Sequence, residues 1–343
     1  MEKRIEIEEA LAGLFHRCFG SEPESMILLP ASGSARKYYR LSAGNFVCVG
    51  TWHADVAENR LFVDFSRHFR KCGLHVPEIY VMSEDGFAYL QEDLGDRMLL
   101  DVIVMEREQG DLTPHLMELY RKVLSELLRF QFLGHVGLDY SHCIPRPVFD
   151  RRCILWDLNY FKYCFLRLAG GVFSEEALEN DFSRLTDRLC RVDNQAFMFR
   201  DFQSRNIMVR DEEVWFIDYQ GGRQGALQYD VASLLYDAIV HMPDVQRECL
   251  LDDYIGELQT YRSVDSLQFR EEYYHFVLIR LLQAMGAFGL RGLYEKKAHF
   301  IDSIQPGLEN ICRLFQAGKV GADYAEIWHV CEQLRRSERF LRL

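Results

Sequence analysis

No C-x-x-C pair occurs among the ten cysteines, which stand at 18, 48, 72, 143, 153, 164, 190, 249, 312 and 331. That absence speaks against zinc ribbons and redox dithiols. Their scatter over a long chain fits buried, reduced thiols better than a disulfide framework. Excess positive charge is also missing: 40 Lys and Arg against 52 Asp and Glu give a formal net charge of −12. This is the wrong sign for a general nucleic-acid binder, whose affinity rests on clustered cations facing phosphates. The first ten residues are charged and lack the apolar core of a secretory signal. No stretch approaches the ~20 apolar residues expected of a membrane span. No H-E-x-x-H or similar spacing joins the histidines, so His53, His75, His135 and His241 read as ordinary core or surface residues. Internal repeats and low-complexity linkers are absent. The resulting expectation is a cytoplasmic protein that neither enters a membrane nor binds nucleic acid.

What is present is ordinary globular material. Of the 343 residues 48% are hydrophobic and 27% charged, enough to bury a sizeable core without disulfides or metal. At about 150 residues per domain, this length suggests two domains or one two-lobed unit. Apolar spacing predicts a helix over 5–19. Short strands are expected at 26–29, 38–41 and 46–49, broken by the small-residue turn Ala31-Ser32-Gly33-Ser34-Ala35 and by Gly44-Asn45. A second helix over 55–71 presents Leu61, Phe62, Phe65 and Phe69, and two further strands lie near 78–82 and 87–91. From about 112 the pattern is helical, notably over 116–132, 157–168 and from Tyr229 onward. One β-rich island interrupts it, at 207–209 and 214–217. The fold class is therefore α+β and bilobal: a small β-rich N-lobe over 1–92 and a larger, mainly helical C-lobe over 93–343.

The chemistry concentrates in Phe199-Arg200-Asp201-Phe202-Gln203-Ser204-Arg205-Asn206 and, past the short hairpin, Ile217-Asp218-Tyr219-Gln220. Asp201 and Asn206 are five residues apart, and Asp218 lies twelve beyond Asn206, so the hairpin returns its exit strand beside the loop that precedes it. Three oxygen-bearing side chains can converge there. Phosphoryl transfer needs such convergence, because Mg²⁺ prefers hard oxygens, with few from protein, and a separate carboxylate must accept the proton of the attacking hydroxyl. On that reasoning Asp201 is the base, and Asn206 and Asp218 are the metal ligands. Despite the net negative charge, a local group of cations and Mg²⁺ can hold an anionic nucleotide.

This order and spacing resembles the catalytic-loop and metal-loop pair of protein kinases, and most closely the aminoglycoside phosphotransferase and choline kinase superfamily. The resemblance implies a protein-kinase-like fold, ATP and Mg²⁺ as cofactors, and transfer to a small-molecule hydroxyl. It extends to Asp230-Val231-Ala232, where Asp230 would start a helix and hydrogen-bond the catalytic loop; a simple helix cap is the ordinary alternative. Ser34 sits where the family's phosphate-covering hairpin would be, though alone it marks only a β-turn. Glu92 and Leu94, within Leu90-Gln91-Glu92-Asp93-Leu94-Gly95, resemble the inter-lobe hinge. Glu58 lies in the helix where kinases keep a partner for an ATP-binding lysine. The chain departs from the pattern in three ways. The strand Phe46-Val47-Cys48-Val49-Gly50 has no lysine, Phe199 replaces the usual histidine, and Gln203 stands at a position often basic. Either the protein is a catalytically dead nucleotide-binding module, or Arg36, Lys37 or Arg40 supplies the missing charge.

One branch of the superfamily resembles the chain from about residue 30 to 315: the bacterial anomeric kinases of N-acetylmuramate and N-acetylglucosamine, which serve cell-wall salvage. The shared stretches are Ser34 to Arg40, Gly73-Leu74-His75-Val76-Pro77, Glu92 to Gly95, Arg200 to Asn206, and Ile217 to Gln220. An amino sugar is the acceptor this implies; choline, homoserine or an aminoglycoside are the alternatives. A sugar site needs planar polar groups beside the base. Arg205 and Gln220 flank the metal ligands, and Arg280 and Gln283 share a helix face. Trp156, Asp157 and Asn159 begin a helix that the family places over the acceptor. Capping, pairing and packing are the ordinary readings of these last residues. A muramate carboxylate favours an arginine partner, with Arg205, Arg223 and Arg280 as candidates. Oligomeric state is not legible.

Overall fold

The computed structural model describes residues 2–30, 35–107 and 110–341. The turn at 31–34, including Ser34, lies outside them. The N-lobe begins with helix α1 (Glu2–Phe19) and strands β1 (Ser25–Leu28), β2 (Lys37–Ala43) and β3 (Phe46–Trp52). Helix α2 (Val56–Lys71) and strands β4 (Ile79–Met82) and β5 (Ala88–Glu92) complete it. The five strands form one antiparallel sheet in the order β1-β2-β3-β5-β4.

Strand periodicity decides which residues meet the cleft. Tyr39, Leu41 and Ala43 of β2 pack with Ile7, Leu11, Leu14 and Phe15 of α1 in a core of their own. The alternate residues Tyr38 and Arg40 therefore lie on the other face. Their partners across the ladder are Thr51 and Val49 of β3, so the face that could carry a strand lysine is uncharged there. Asp55 caps α2 by accepting the Glu58 N–H at 3.0 Å. Phe62 of α2 stacks on Tyr219 of the other lobe at 4.9 Å, and Ser66 hydrogen-bonds the Tyr219 hydroxyl at 2.6 Å. Helix α2 thus belongs to the core that runs through the C-lobe, which fixes Glu58 relative to the metal loop.

The C-lobe opens with α3 (Leu99–Glu106), α4 (Pro114–Arg129) and α5 (Arg151–Tyr160), the last running through a π-helical stretch into α6 (Arg167–Ala169). Then come α7 (Glu175–Leu189), β6 (Ala196–Met198), the hairpin β7 (Ile207–Arg210) and β8 (Glu213–Phe216), and β9 (Arg223–Gly225). The rest is helical: α8 (Leu227–Leu235), α9 (Asp244–Tyr261), α10 (Ser266–Ala287), α11 (Ala298–Asp302), α12 (Ile304–Gln316), α13 (Ala325–Arg335) and α14 (Glu338–Leu341). Strand β6 pairs with β9, framing the catalytic loop from both ends.

Two sequence expectations need correction. The α5 helix starts at Arg151, where Asp150 accepts the N–H groups of Arg152 and Cys153; Trp156, Asp157 and Asn159 lie within it rather than at its start. The expectation that no stretch has membrane-span character also fails. Residues Ser266–Tyr294, α10 with its π-helical extension, are long and apolar enough to cross a membrane by length and composition. Most of this segment is buried: Val277, Leu278, Ile279 and Leu282 have no exposed surface, as befits the central helix of a helical lobe.

Candidate active site

The catalytic loop is held by a buried acid. Asp230 is fully buried and accepts the backbone N–H of Phe199 at 2.7 Å and of Arg200 at 3.1 Å. Burial pushes its carboxyl up to about 7, against the pull of those two hydrogen bonds. Ala226 is the N-cap of α8 and Asp230 lies in its first turn, so the simple-cap alternative gives way, while the hydrogen bonding to the loop is the one that the family resemblance implies. This clamp on the loop has strain to hold. Arg200 has φ of +81° and Asp218 of +64°, left-handed conformations that non-glycine residues adopt at an energetic cost and that concentrate at functional sites.

The Asn206 and Asp218 side chains meet, and Asp201 borders them through its main chain and its charge. Asn206 donates from Nδ2 to the Asp201 carbonyl at 2.9 Å and to Asp218 Oδ2 at 3.3 Å. Gln220 donates to Asp218 Oδ1 at 2.7 Å, and its own Oε1 is buried without a partner. Asp201 is exposed. Burial raises the pKa of Asp218; Gln220 and Arg36 oppose the rise, while the negative charges of Asp201 and Glu58 add to it. A carboxylate burdened by neighbouring acids, beside an amide, is a donor set that suits Mg²⁺, which takes few protein oxygens and fills its shell with water and phosphate. Asp218 and Asn206 would hold it. Among the described residues no group of three or more His, Cys, Asp or Glu is arranged as a metal site.

Of the three candidate cations, Arg36 is the one that reaches Asp218 of the metal loop among the described contacts. It is 5% exposed, with its guanidinium 2.8 Å from Glu58 Oε1 and 3.5 Å from Asp218 Oδ1. Lys37 falls on the β2 face shared with Tyr39 and Leu41. Arg40 is committed elsewhere: it binds both oxygens of Asp93, at 2.5 and 3.0 Å, and both of Asp96, at 2.8 and 3.0 Å. It therefore ties β2 to the hinge. Glu92 pairs with Arg210 at 2.9 Å while its N–H donates to the Glu78 carbonyl, and Leu94 is 7% exposed.

The acceptor-side residues separate. Asp157 is occupied: Arg200 forks onto its two oxygens at 2.6 and 2.5 Å, and also donates to Tyr229 Oη at 2.7 Å. Asn159 is half-buried on the same helix. Arg223 is tied to the carbonyls of Gly221 and Ile144. Arg280 is buried and bonded to Ser233 and Gln283. Arg205 is partly buried, with its Nε unpartnered.

Sequence reasoning missed Arg200 as a structural pivot, and missed Asp237, which accepts from Ser204 Oγ at 2.8 Å. Arg200 stood in plain view beside Asp201, but its partner is 43 residues away and no local pattern joins them. Phe199 takes the place of a histidine because its ring is 2% exposed and packs on Phe130 at 4.8 Å and Phe202 at 4.9 Å. Arg200→Met strands the Asp157 carboxylate in the interior. Such a break is expected to lower unfolding free energy by about 3–5 kcal/mol, read from urea denaturation. The double variant Arg200→Met/Asp157→Leu recovers much of it; no recovery would show that the ion pair is not the cause.

A five-stranded lobe over a mainly helical lobe that carries the loop of Asp201 and Asn206 is a protein-kinase-like fold. The chain belongs to the phosphotransferase enzyme family, whose family model matches residues 27–267. It is 29% identical over 234 residues to an N-acetylmuramate/N-acetylglucosamine kinase of Pseudomonas aeruginosa, covering 66% of this chain and 64% of that one, just under two thirds of the relative's length. A protein of the same name from Pseudomonas putida is 26% identical over 260 residues, covering 74% of this chain and 72% of that one. Among solved structures, choline kinase from Cryptosporidium parvum shares the fold at a TM-score of 0.64 and 10% identity, covering 92% of this chain and 98% of that one.

Proposed function

We propose that the protein transfers the γ-phosphate of Mg-ATP to a hydroxyl of an amino sugar of the N-acetylmuramate/N-acetylglucosamine type, at the anomeric position. The observation that carries this reading is the single cluster in which Asn206 touches both the Asp201 main chain and the Asp218 carboxylate, with Arg36 joining Asp218 to Glu58 across the lobes. The two Pseudomonas relatives, named for those sugars, support the acceptor class.

Asp201 accepts the proton of the acceptor hydroxyl as its oxygen bonds to the γ-phosphorus and the bond to the ADP oxygen breaks. The anomeric hydroxyl is the most acidic of a reducing sugar, so a carboxylate base removes its proton most readily. Asp218 and Asn206 would hold Mg²⁺, which when bound would supply charge neutralisation on the phosphates. Arg36 adds fixed positive charge from the N-lobe, where a buried guanidinium acts more strongly than one in water.

The test is ADP release from Mg-ATP with N-acetylmuramate, N-acetylglucosamine, choline, homoserine and an aminoglycoside. Turnover is expected with the amino sugars. Turnover confined to choline, homoserine or the aminoglycoside would move the acceptor elsewhere in the family, and ATP binding without turnover on any acceptor would mark a dead module.

A further inference from the structure

A small cavity of about 30 Å³ adjoins the catalytic loop. Its wall includes Gln203 and Arg205 from the loop, Ser233 and Asp237 from the α8 side, and Arg280 and Ala284 from α10. Two of these side chains are guanidinium groups with no carboxylate at ion-pair distance among the described residues. Arg280 is 5% exposed, yet it donates only to neutral oxygens, Ser233 Oγ at 2.9 Å and Gln283 Oε1 at 2.7 Å. Arg205 has a buried Nε with no hydrogen-bond partner.

Asp237 is the one acid on this wall, and it is already engaged. Its carboxylate accepts from the Ser204 hydroxyl at 2.8 Å, from the Ser204 N–H at 3.4 Å and from the Ile239 N–H at 3.3 Å. The wall therefore holds two positive charges against one committed negative charge. Behind it the buried Asp230 carboxylate lies within Coulombic reach of Arg280, but its oxygens are taken by the Phe199 and Arg200 N–H groups. Neither guanidinium thus has a carboxylate bonded to it, whereas interior charges are usually paired directly. A ligand carboxylate would supply that direct partner. The cavity admits a group of a few atoms and not a sugar ring, and planar guanidinium groups match a carboxylate.

We propose that Arg205 and Arg280 form a subsite for a carboxylate carried by the acceptor, which sets a preference for acidic over neutral amino sugars. This rests on the proposed sugar-kinase function and adds a specificity element to it. Arg205 adjoins Asn206, the proposed metal ligand, in sequence, which sets the subsite one residue along the loop from the proposed reaction centre; none of Asp201, Asn206 and Asp218 lines the cavity. N-Acetylmuramate carries a lactyl ether carboxylate that N-acetylglucosamine lacks, and the pair reads the subsite directly.

The experiment measures kcat/KM for both sugars in the full chain and in the Arg280→Gln and Arg205→Gln variants. Each variant is expected to lower the acidic-to-neutral ratio of kcat/KM by about 10–100-fold, the worth of a charge-assisted hydrogen bond pair. A ratio unchanged within about twofold in both variants overturns the proposal, whatever happens to the absolute rates, because a merely structural role lowers both sugars together. Should Arg280→Gln fail to fold, Arg205→Gln on the loop carries the test. A second arm separates this inference from the function it rests on: thermal stabilisation of the unmodified chain by D-lactate compared with neutral lactamide. Stabilisation by lactate alone, lost in Arg205→Gln, supports the subsite even if neither sugar is phosphorylated. Equal response to both compounds counts against it and leaves the cavity as a water site.

Discussion

Asp201→Asn is expected to lower kcat by about 10²–10⁴-fold, the range that a positioned general base contributes. Stability should change little. Asp201 is exposed and its carboxylate makes no hydrogen bond or ion pair with a described residue, so the substitution removes chemistry without removing packing. Surface changes away from such contacts usually shift stability by less than about 0.5 kcal/mol. The Asn206 bond to residue 201 is to the main-chain carbonyl and survives the substitution. The charge of Asp201 is also one of the influences that raise the Asp218 pKa, so the variant makes Asp218 easier to ionise and should not weaken nucleotide binding. A loss in kcat with an unchanged KM for ATP is the expected signature, read by ADP release at saturating acceptor with urea unfolding as the control. A variant with wild-type kcat would remove Asp201 from the role of base.

Much of this site was legible because its spacing is local. Asp201, Asn206 and Asp218 are joined by one short hairpin, and apolar alternation in Ile207–Val209 and Val214–Ile217 is enough to fold Asp218 back beside Asn206. The five strands of the N-lobe were legible for the same reason, each being bounded by small or polar turn residues. Helix α3 and the β6–β9 pair were not. The two strands are three residues each and lie 25 residues apart, a pairing that no local periodicity announces. Polar partnerships across the lobe were equally hidden. Asp157 was read as a residue facing the acceptor, but Arg200 consumes both of its oxygens, and sequence alone does not say which arginine reaches it. Arg40 and Arg36 looked equivalent as candidate cations. They differ because Asp93 and Asp96 capture Arg40 at the hinge, and that depends on where β5 ends.

Arg36 carries the second large effect. With its side chain 2% exposed and its guanidinium held between Glu58 and Asp218, it is the proposed substitute for the lysine that β3 lacks. Arg36→Ala is expected to lower kcat/KM for ATP by about 10²–10³-fold, the usual loss when one fixed electrostatic donor is removed from a reacting phosphate or oxyanion. Arg36→Lys keeps the charge but loses the planar fork. A single ammonium cannot match both acids in the geometry of a guanidinium, so the lysine variant should fall between wild type and alanine. Glu58→Gln should cost less than Arg36→Ala, because Arg36 keeps its contact with Asp218. Burial makes a stability loss possible in the alanine variant, so the unfolding midpoint is measured in parallel, and the lysine variant separates charge from packing. Lys37→Ala is the contrasting substitution, since its side chain alternates to the opposite face of β2. If Lys37→Ala lowered kcat/KM for ATP while Arg36→Ala left it at the wild-type value, the N-lobe charge would have to come from the neighbouring position, and the bridge between Glu58 and Asp218 would be structural.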